Sequence, residues 1–183
     1  DPESRGHARV HRTRDRATGI LTLTPAAWIN LSGSIGTGHD DYADTGFGLR
    51  DNKNRTYGAG LDLMPSDTVM FGVSYQRETY EANQYSRTSS PLPSPTFNDP
   101  TRDWWIDSTD RVETAAATLD LLRTLPKTDI RLGYDVSDGR ATYVYGIKPN
   151  QTIFTGTAAL AQLAPLSNRL TGARADVQYF LRP

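Results

Sequence analysis

Hydrophobic and polar residues alternate along most of this chain. Residues 28–36 place Ile29, Leu31 and Ile35 on one side and serine or asparagine on the other. The same period of two, which is typical of a β-strand with one apolar face, recurs along the chain. It indicates about seven strands, over residues 16–24, 28–36, 55–63, 68–80, 111–122, 130–145 and 169–181.

The connections between these segments alternate between short and long. Short proline-containing turns lie at Pro25, Pro65 and Pro126, whereas polar stretches run roughly over 37–54, 81–110 and 148–168. A transmembrane β-barrel has short periplasmic turns and longer extracellular loops. The chain is therefore predicted to be all-β, an antiparallel transmembrane barrel fragment in the bacterial outer membrane. Residues 1–183 form its single partial domain, with both ends expected to be truncated.

One face of the predicted strands is polar, and in a barrel such a face lines the lumen while the apolar face contacts lipid. Three features favour this over a soluble β-sandwich or adhesin domain, which stays an alternative. The apolar faces carry no charge in mid-strand, glycine is frequent on the polar face, and tyrosines recur on the apolar face, where membrane-interface aromatics belong. The tyrosines are Tyr57, Tyr75, Tyr134 and Tyr179; the predicted lumen-facing residues are Asp62, Asp120, Arg131, Asp135, Arg174 and Asp176.

Composition restricts the function classes. The 183 residues carry a net charge of −1, so no pull toward nucleic acid is predicted. Mean hydropathy is −0.56, and no run approaches the ~18–20 apolar residues of a membrane helix. Cysteine is absent, which excludes disulfides and attached c-type haem on this chain. Nucleotide-binding and hydrolase motifs are missing, so we predict a non-enzyme without cofactor.

The long stretch over 81–110 holds the clearest candidate site. Two tryptophans among regularly spaced acids could dock a partner, because exposed aromatic and arginine side chains anchor interfaces. The competing interpretation is that the tryptophans pack over the base of the loop or lie at the membrane interface. The candidate docking residues are Arg102, Asp103, Trp104, Trp105, Asp107 and Asp110.

Weaker signals lie elsewhere in the predicted loops. Leu160 and Leu163 suggest a short helix. His39 with its neighbouring acids lacks the spacing of a metal site, and the acids from Asp99 to Asp110 do not match a calcium-binding loop.

Residues 98–145 resemble the MtrB/PioB family of outer-membrane β-barrels. The matching features are the Arg-Asp-Trp sequence at 102–104, the Asp-Arg-Val sequence at 110–112 and the Tyr-x-x-Ser-Asp pattern at 134–138. The resemblance implies a sheath around a periplasmic multihaem c-type cytochrome, with a further extracellular cytochrome as a possible partner. Haem would then belong to the partner. A porin or small-solute diffusion channel is the alternative within the outer membrane.

Overall fold

A computed structural model describes residues 12–42, 47–87, 103–147 and 163–181. Arg102, Asp99 and Leu160, which were singled out in the sequence, lie outside these ranges. The described residues form one antiparallel sheet in which each strand pairs with its neighbours along the chain. The strands are β1 (Thr13–Ala26), β2 (Ile29–Asp41), β3 (Gly48–Ser66), β4 (Val69–Arg87), β5 (Asp103–Leu125), β6 (Thr128–Ile147) and β7 (Leu166–Tyr179).

This order confirms seven antiparallel strands in an all-β fold, and the sheet is open: β1 and β7 each pair on one side within the described residues. The three short turns are also confirmed. At each turn the register of the paired strands shifts by an irregularity. These irregularities lie between Leu23 and Ala26, between Leu63 and Ser66, and between Leu122 and Leu125. Proline lacks a backbone donor, and Pro25 and Pro65 occupy such irregular positions, where no ladder bond is lost.

The predicted long loops are shorter than expected. β2 continues to Asp41 and β3 begins at Gly48, so most of 37–54 is strand. Likewise β4 continues to Arg87 and β5 begins at Asp103, so residues 81–87 and 103–110 are strand. The alternation is hidden there because both faces carry polar side chains, whereas the backbone ladder needs no apolar residue.

The strand register places an uncharged, largely apolar band on one face of the sheet near the turns. Its four cross-strand rows hold Val69, Leu121, Ile130 and Val177; Leu63, Phe71, Leu119, Leu132 and Ala175; Leu31, Leu61, Val73, Ala117, Tyr134 and Ala173; and Ala59, Tyr75, Ala115, Val136 and Thr171. We call these rows the apolar band, the side of the sheet that carries them the band face, and the opposite side the polar face.

The apolar band has no protein cover. Among the described residues no hydrophobic side chain is buried, and Tyr134 and Val177 are 53% and 67% exposed. A soluble β-sandwich would bury such a face against a second sheet, so this alternative does not fit. No helix in the described ranges is long and apolar enough to cross a membrane.

The strands are much longer than the apolar band. Along β4 to β7 the four rows span seven residues, somewhat fewer than the ~9–11 of a tilted transmembrane strand. β5, however, has 23 residues, and its half from Asp103 to Glu113 lies beyond the band. The sheet therefore continues past the apolar band at the end opposite the short turns.

The four tyrosines that were predicted to lie at the membrane interface are divided along the strands. Tyr57 and Tyr75 lie near the edge of the apolar band remote from the short turns, Tyr179 lies at the turn end, and Tyr134 lies within the band.

Ala116 and Ala117 provide a matched test of the two faces. Ala117 lies in the apolar band and Ala116 on the polar face. Arginine on the lipid face near the bilayer midplane costs about 2–4 kcal/mol. In the full-length protein folded into liposomes, Ala117→Arg should lower the free energy of unfolding by that amount, and Ala116→Arg by much less. Equal losses would contradict the assignment of the faces.

Candidate functional site

The polar face brings together all six predicted lumen-facing residues. One cross-strand row begins at Asp62 and continues through Gly72, Thr118 and Gly133 to Arg174. In the next row, Asp120 pairs with Arg131, which pairs with Asp176. Asp135 lies two residues from Gly133 and therefore on the same side. The prediction that these residues share one face is confirmed, whereas their exposure to a lumen stays a prediction.

Charged side chains on the polar face lie flat across neighbouring glycines. A methyl group at Gly133 would come within 2.8 Å of the Arg174 Nε, and one at Gly172 within 2.6 Å of an Asp135 oxygen. At Gly72 the added carbon would lie 3.0 Å from an Asp62 oxygen. These glycines give the charged side chains space against the sheet. The result is a polar wall on which these charged side chains lie close to the sheet.

The charges on this wall are only loosely paired. The Arg131 Nε lies 3.9 Å from the Asp120 carboxylate, and the Arg131 side chain is 63% exposed. Asn30 donates a hydrogen bond of 3.3 Å to Asp62. Exposed pairs at such distances contribute little to stability, so these groups are available to a partner or to ions.

The candidate docking residues from Asp103 to Asp110 lie in β5 rather than in a loop, so their predicted position is wrong. Because side chains alternate along a strand, the two tryptophans lie on opposite faces. Trp104 lies on the polar face, with its ring centroid 6.4 Å from that of Tyr145. Trp105 lies on the band face, against Gly146. Their docking role stays a prediction, but the set does not form one surface.

The remaining docking residues are also divided between the faces. On the band face, Asp103 accepts a 2.5 Å hydrogen bond from Arg87, and both side chains are largely buried. On the same face Asp107 accepts a hydrogen bond from Asn83. Asp110 lies on the polar face, opposite Tyr80.

Arginine–aromatic contacts at the loop end were not predicted. Arg50 lies over the ring of Tyr85, with its guanidinium carbon 4.9 Å from the ring centroid, and Arg87 lies over Phe47 at 4.8 Å. Such contacts stabilise exposed sites modestly. They were missed because the arginines fall in stretches that were predicted to be loops.

A third group at the loop end centres on Asp40, which is 7% exposed. Its carboxylate accepts hydrogen bonds from Arg12 and Arg14, at 2.5 and 2.7 Å. The hydrogen bond to Asp40 raises the pKa of Arg12, so this guanidinium stays charged. No group of three or more potential metal ligands lies within the described ranges.

A family model described as "Putative outer membrane beta-barrel porin, MtrB/PioB" matches residues 10–183. The chain belongs to the MtrB/PioB family. The match extends the resemblance from residues 98–145 to almost the whole chain and supports placement in the outer membrane. No curated protein matches the chain. In an outer-membrane barrel an apolar face of this kind is expected to contact lipid, and for this chain that contact stays a prediction. That the chain is not an enzyme stays a prediction.

Gly146 provides a test of the contact with Trp105. A methyl group there would lie within 2.0 Å of the indole, so Gly146→Ala should displace the ring. Hydrogen exchange of the β5 amides near Trp105 should become faster in the full-length protein. Gly33→Ala is the control, because no atom lies within 4 Å of the added carbon. If both variants exchanged like the parent protein, the indole would not pack on this glycine.

Proposed function

We propose that this chain is part of an outer-membrane sheath that encloses a multihaem c-type cytochrome and supports electron transfer across the membrane. The observation that carries the proposal is the flat polar wall opposite the apolar band. Such a wall leaves space for a folded partner, while the paired backbone and the apolar band satisfy the lipid phase. The membership of the chain in the MtrB/PioB family supports the outer-membrane barrel on which this proposal rests.

Small residues dominate the polar face at the level of the apolar band. One row holds Ser32, Gly60, Ser74, Ala116 and Asp135, and the next row holds Ser34, Gly58, Gln76, Thr114 and Ser137. Two large apolar residues, Ile20 and Leu170, lie at the two edges of the second row, on β1 and β7. A lumen that is filled by its own side chains needs large inward residues. This wall instead favours a wide interior that a second protein can occupy.

The charge of the wall suits a polar protein surface. The six charged residues identified above comprise four aspartates and two arginines, and they are spread over several rows rather than forming one site. Electrostatic complementarity of this kind favours specific association and orientation. Since the chain has no cysteine, the c-type haems would be attached to the enclosed partner.

The part of the sheet beyond the apolar band supports a second role in the same assembly. On its polar face, Trp104, Tyr145 and Asp110 lie at the end remote from the short turns. If those turns are periplasmic, this end is extracellular. It could therefore contact the exposed end of the enclosed cytochrome or an extracellular cytochrome.

Two adjacent residues test the sheath. Ser74 lies on the polar face and Val73 in the apolar band. Ser74→Trp places a large ring on the wall and should reduce the haem-staining cytochrome that co-purifies with the full-length protein by at least several-fold. Val73→Trp should not, because its ring faces lipid. If no cytochrome co-purified with the parent protein, or if both variants recovered it fully, the proposal would fail.

A diffusion channel is the second candidate, and the polar wall favours it as well, because porins have a polar interior. Planar-bilayer conductance separates the two functions. A sheath should conduct poorly while its cytochrome is present. A protein that is purified without haem from its native membrane and forms a stable open pore would be a porin.

A further inference from the structure

We propose that the band face binds phosphate groups of the outer leaflet's phosphorylated glycolipid through a row of arginines. These arginines lie in the two cross-strand rows that directly follow the apolar band, and we call them the arginine girdle. Its members are Arg55, Arg77, Arg111, Arg140 and Arg169. The inference does not depend on what the barrel encloses.

The girdle begins where the apolar band ends. On β4, Arg77 is the next residue after Tyr75 on the same face, and on β7 Arg169 follows Thr171 toward the loop end. Arginine is costly at the bilayer midplane but costs about 0–1 kcal/mol near the interface. These guanidiniums therefore lie at the depth of lipid headgroups.

The girdle carries an excess of positive charge. Its two rows contain five arginines and two carboxylates, Glu113 and Asp138. Glu113 is shared, because it contacts Arg111 and lies 3.9 Å from the Arg77 Nε. Arg169 lies 3.7 Å from Asp138. Arg140 is exposed and has no carboxylate within salt-bridge distance in the described part of the chain.

Three girdle arginines line one groove. Arg111, Arg140 and Arg169 surround a space of about 370 Å³, together with Glu113, Asp138 and Ser167. Guanidinium groups bind phosphate oxygens through paired, charge-assisted hydrogen bonds, and the serine hydroxyl is a further donor. The groove thus brings three guanidiniums and one hydroxyl together, and two of the guanidiniums share their charge with carboxylates of the same groove.

The position of the groove decides between possible anions. An acidic protein partner on this face would have to enter the headgroup layer of the bilayer. Lipid phosphates are already at that depth, directly above the acyl chains that cover the apolar band. The end remote from the short turns faces the outer leaflet, which in this membrane is built from phosphorylated lipid A.

The test measures binding of lipid A to the detergent-solubilised full-length protein by microscale thermophoresis. The variant is the triple Arg111→Gln, Arg140→Gln and Arg169→Gln. A basic residue near an anionic surface contributes roughly a fivefold change in affinity, so the triple variant should bind at least tenfold more weakly. Dephosphorylated lipid A should bind the parent protein and the variant equally weakly.

The matched control removes three arginines from the polar face, as Arg16→Gln, Arg131→Gln and Arg174→Gln. Arg16 lies on this face because it pairs with Gly38 of β2, which lies an even number of residues from Ser32 and Ser34. This control has the same net charge as the test variant and should bind lipid A like the parent. A second variant with lysine at the three girdle positions should retain most of the binding, which shows that charge rather than folding is measured. Equal binding by the parent and the glutamine variant, or equal loss in the control, would overturn the proposal.

Discussion

Backbone hydrogen bonding in a medium without water is the constraint on which the rest of this structure depends. Within lipid, each unpaired amide or carbonyl is costly, so only helices and closed barrels can cross. The continuous antiparallel ladder of β1 to β7 meets this need for every interior strand. Once the ladder is fixed, side chains must alternate between two environments, and the sequence follows this alternation through the apolar band.

Each long strand thereby combines three zones with different chemistry. The turn end carries proline at irregular ladder positions, where a missing donor does no harm. The apolar band carries no charge, and the polar wall lies on the opposite side of the sheet. Beyond the band, the arginine girdle and the loop-end contacts are suited to headgroups and water. The same backbone pairing runs through all three zones, so the zones differ only in their side chains.

Where only one face was apolar, the fold could be predicted from the sequence. The hairpin around Pro65 shows why: Leu61 and Val73 alternate with Asp62 and Ser74, so the pattern determines both strand type and face. The six charged residues of the polar wall followed from the same rule. What alternation could not reveal was which cross-strand neighbours met, such as Gly133 beneath Arg174, because this depends on register.

The prediction of strands failed where both faces of the sheet carry polar side chains. Residues 103–110 were expected to be loop because polar residues there occupy both sides of the strand and conceal the period of two. Consequently Trp104 and Trp105 were assigned to one docking surface, although a strand must send them to opposite faces. The arginine girdle was missed for a related reason. Its members are spread over five strands and come together only when the register is known.

The central claim is that one face of β5 meets lipid as far as Ala115 and meets headgroups or water beyond it. The chain has no cysteine, so single cysteines can be placed along β5 and spin-labelled in the full-length protein in liposomes. From 115 to 121, odd-numbered positions should be accessible to oxygen and even-numbered ones to a water-soluble nickel chelate. From 103 to 113, no position should be more accessible to oxygen than to the nickel chelate. A uniform aqueous accessibility from 115 to 121, or the reverse alternation, would contradict the account.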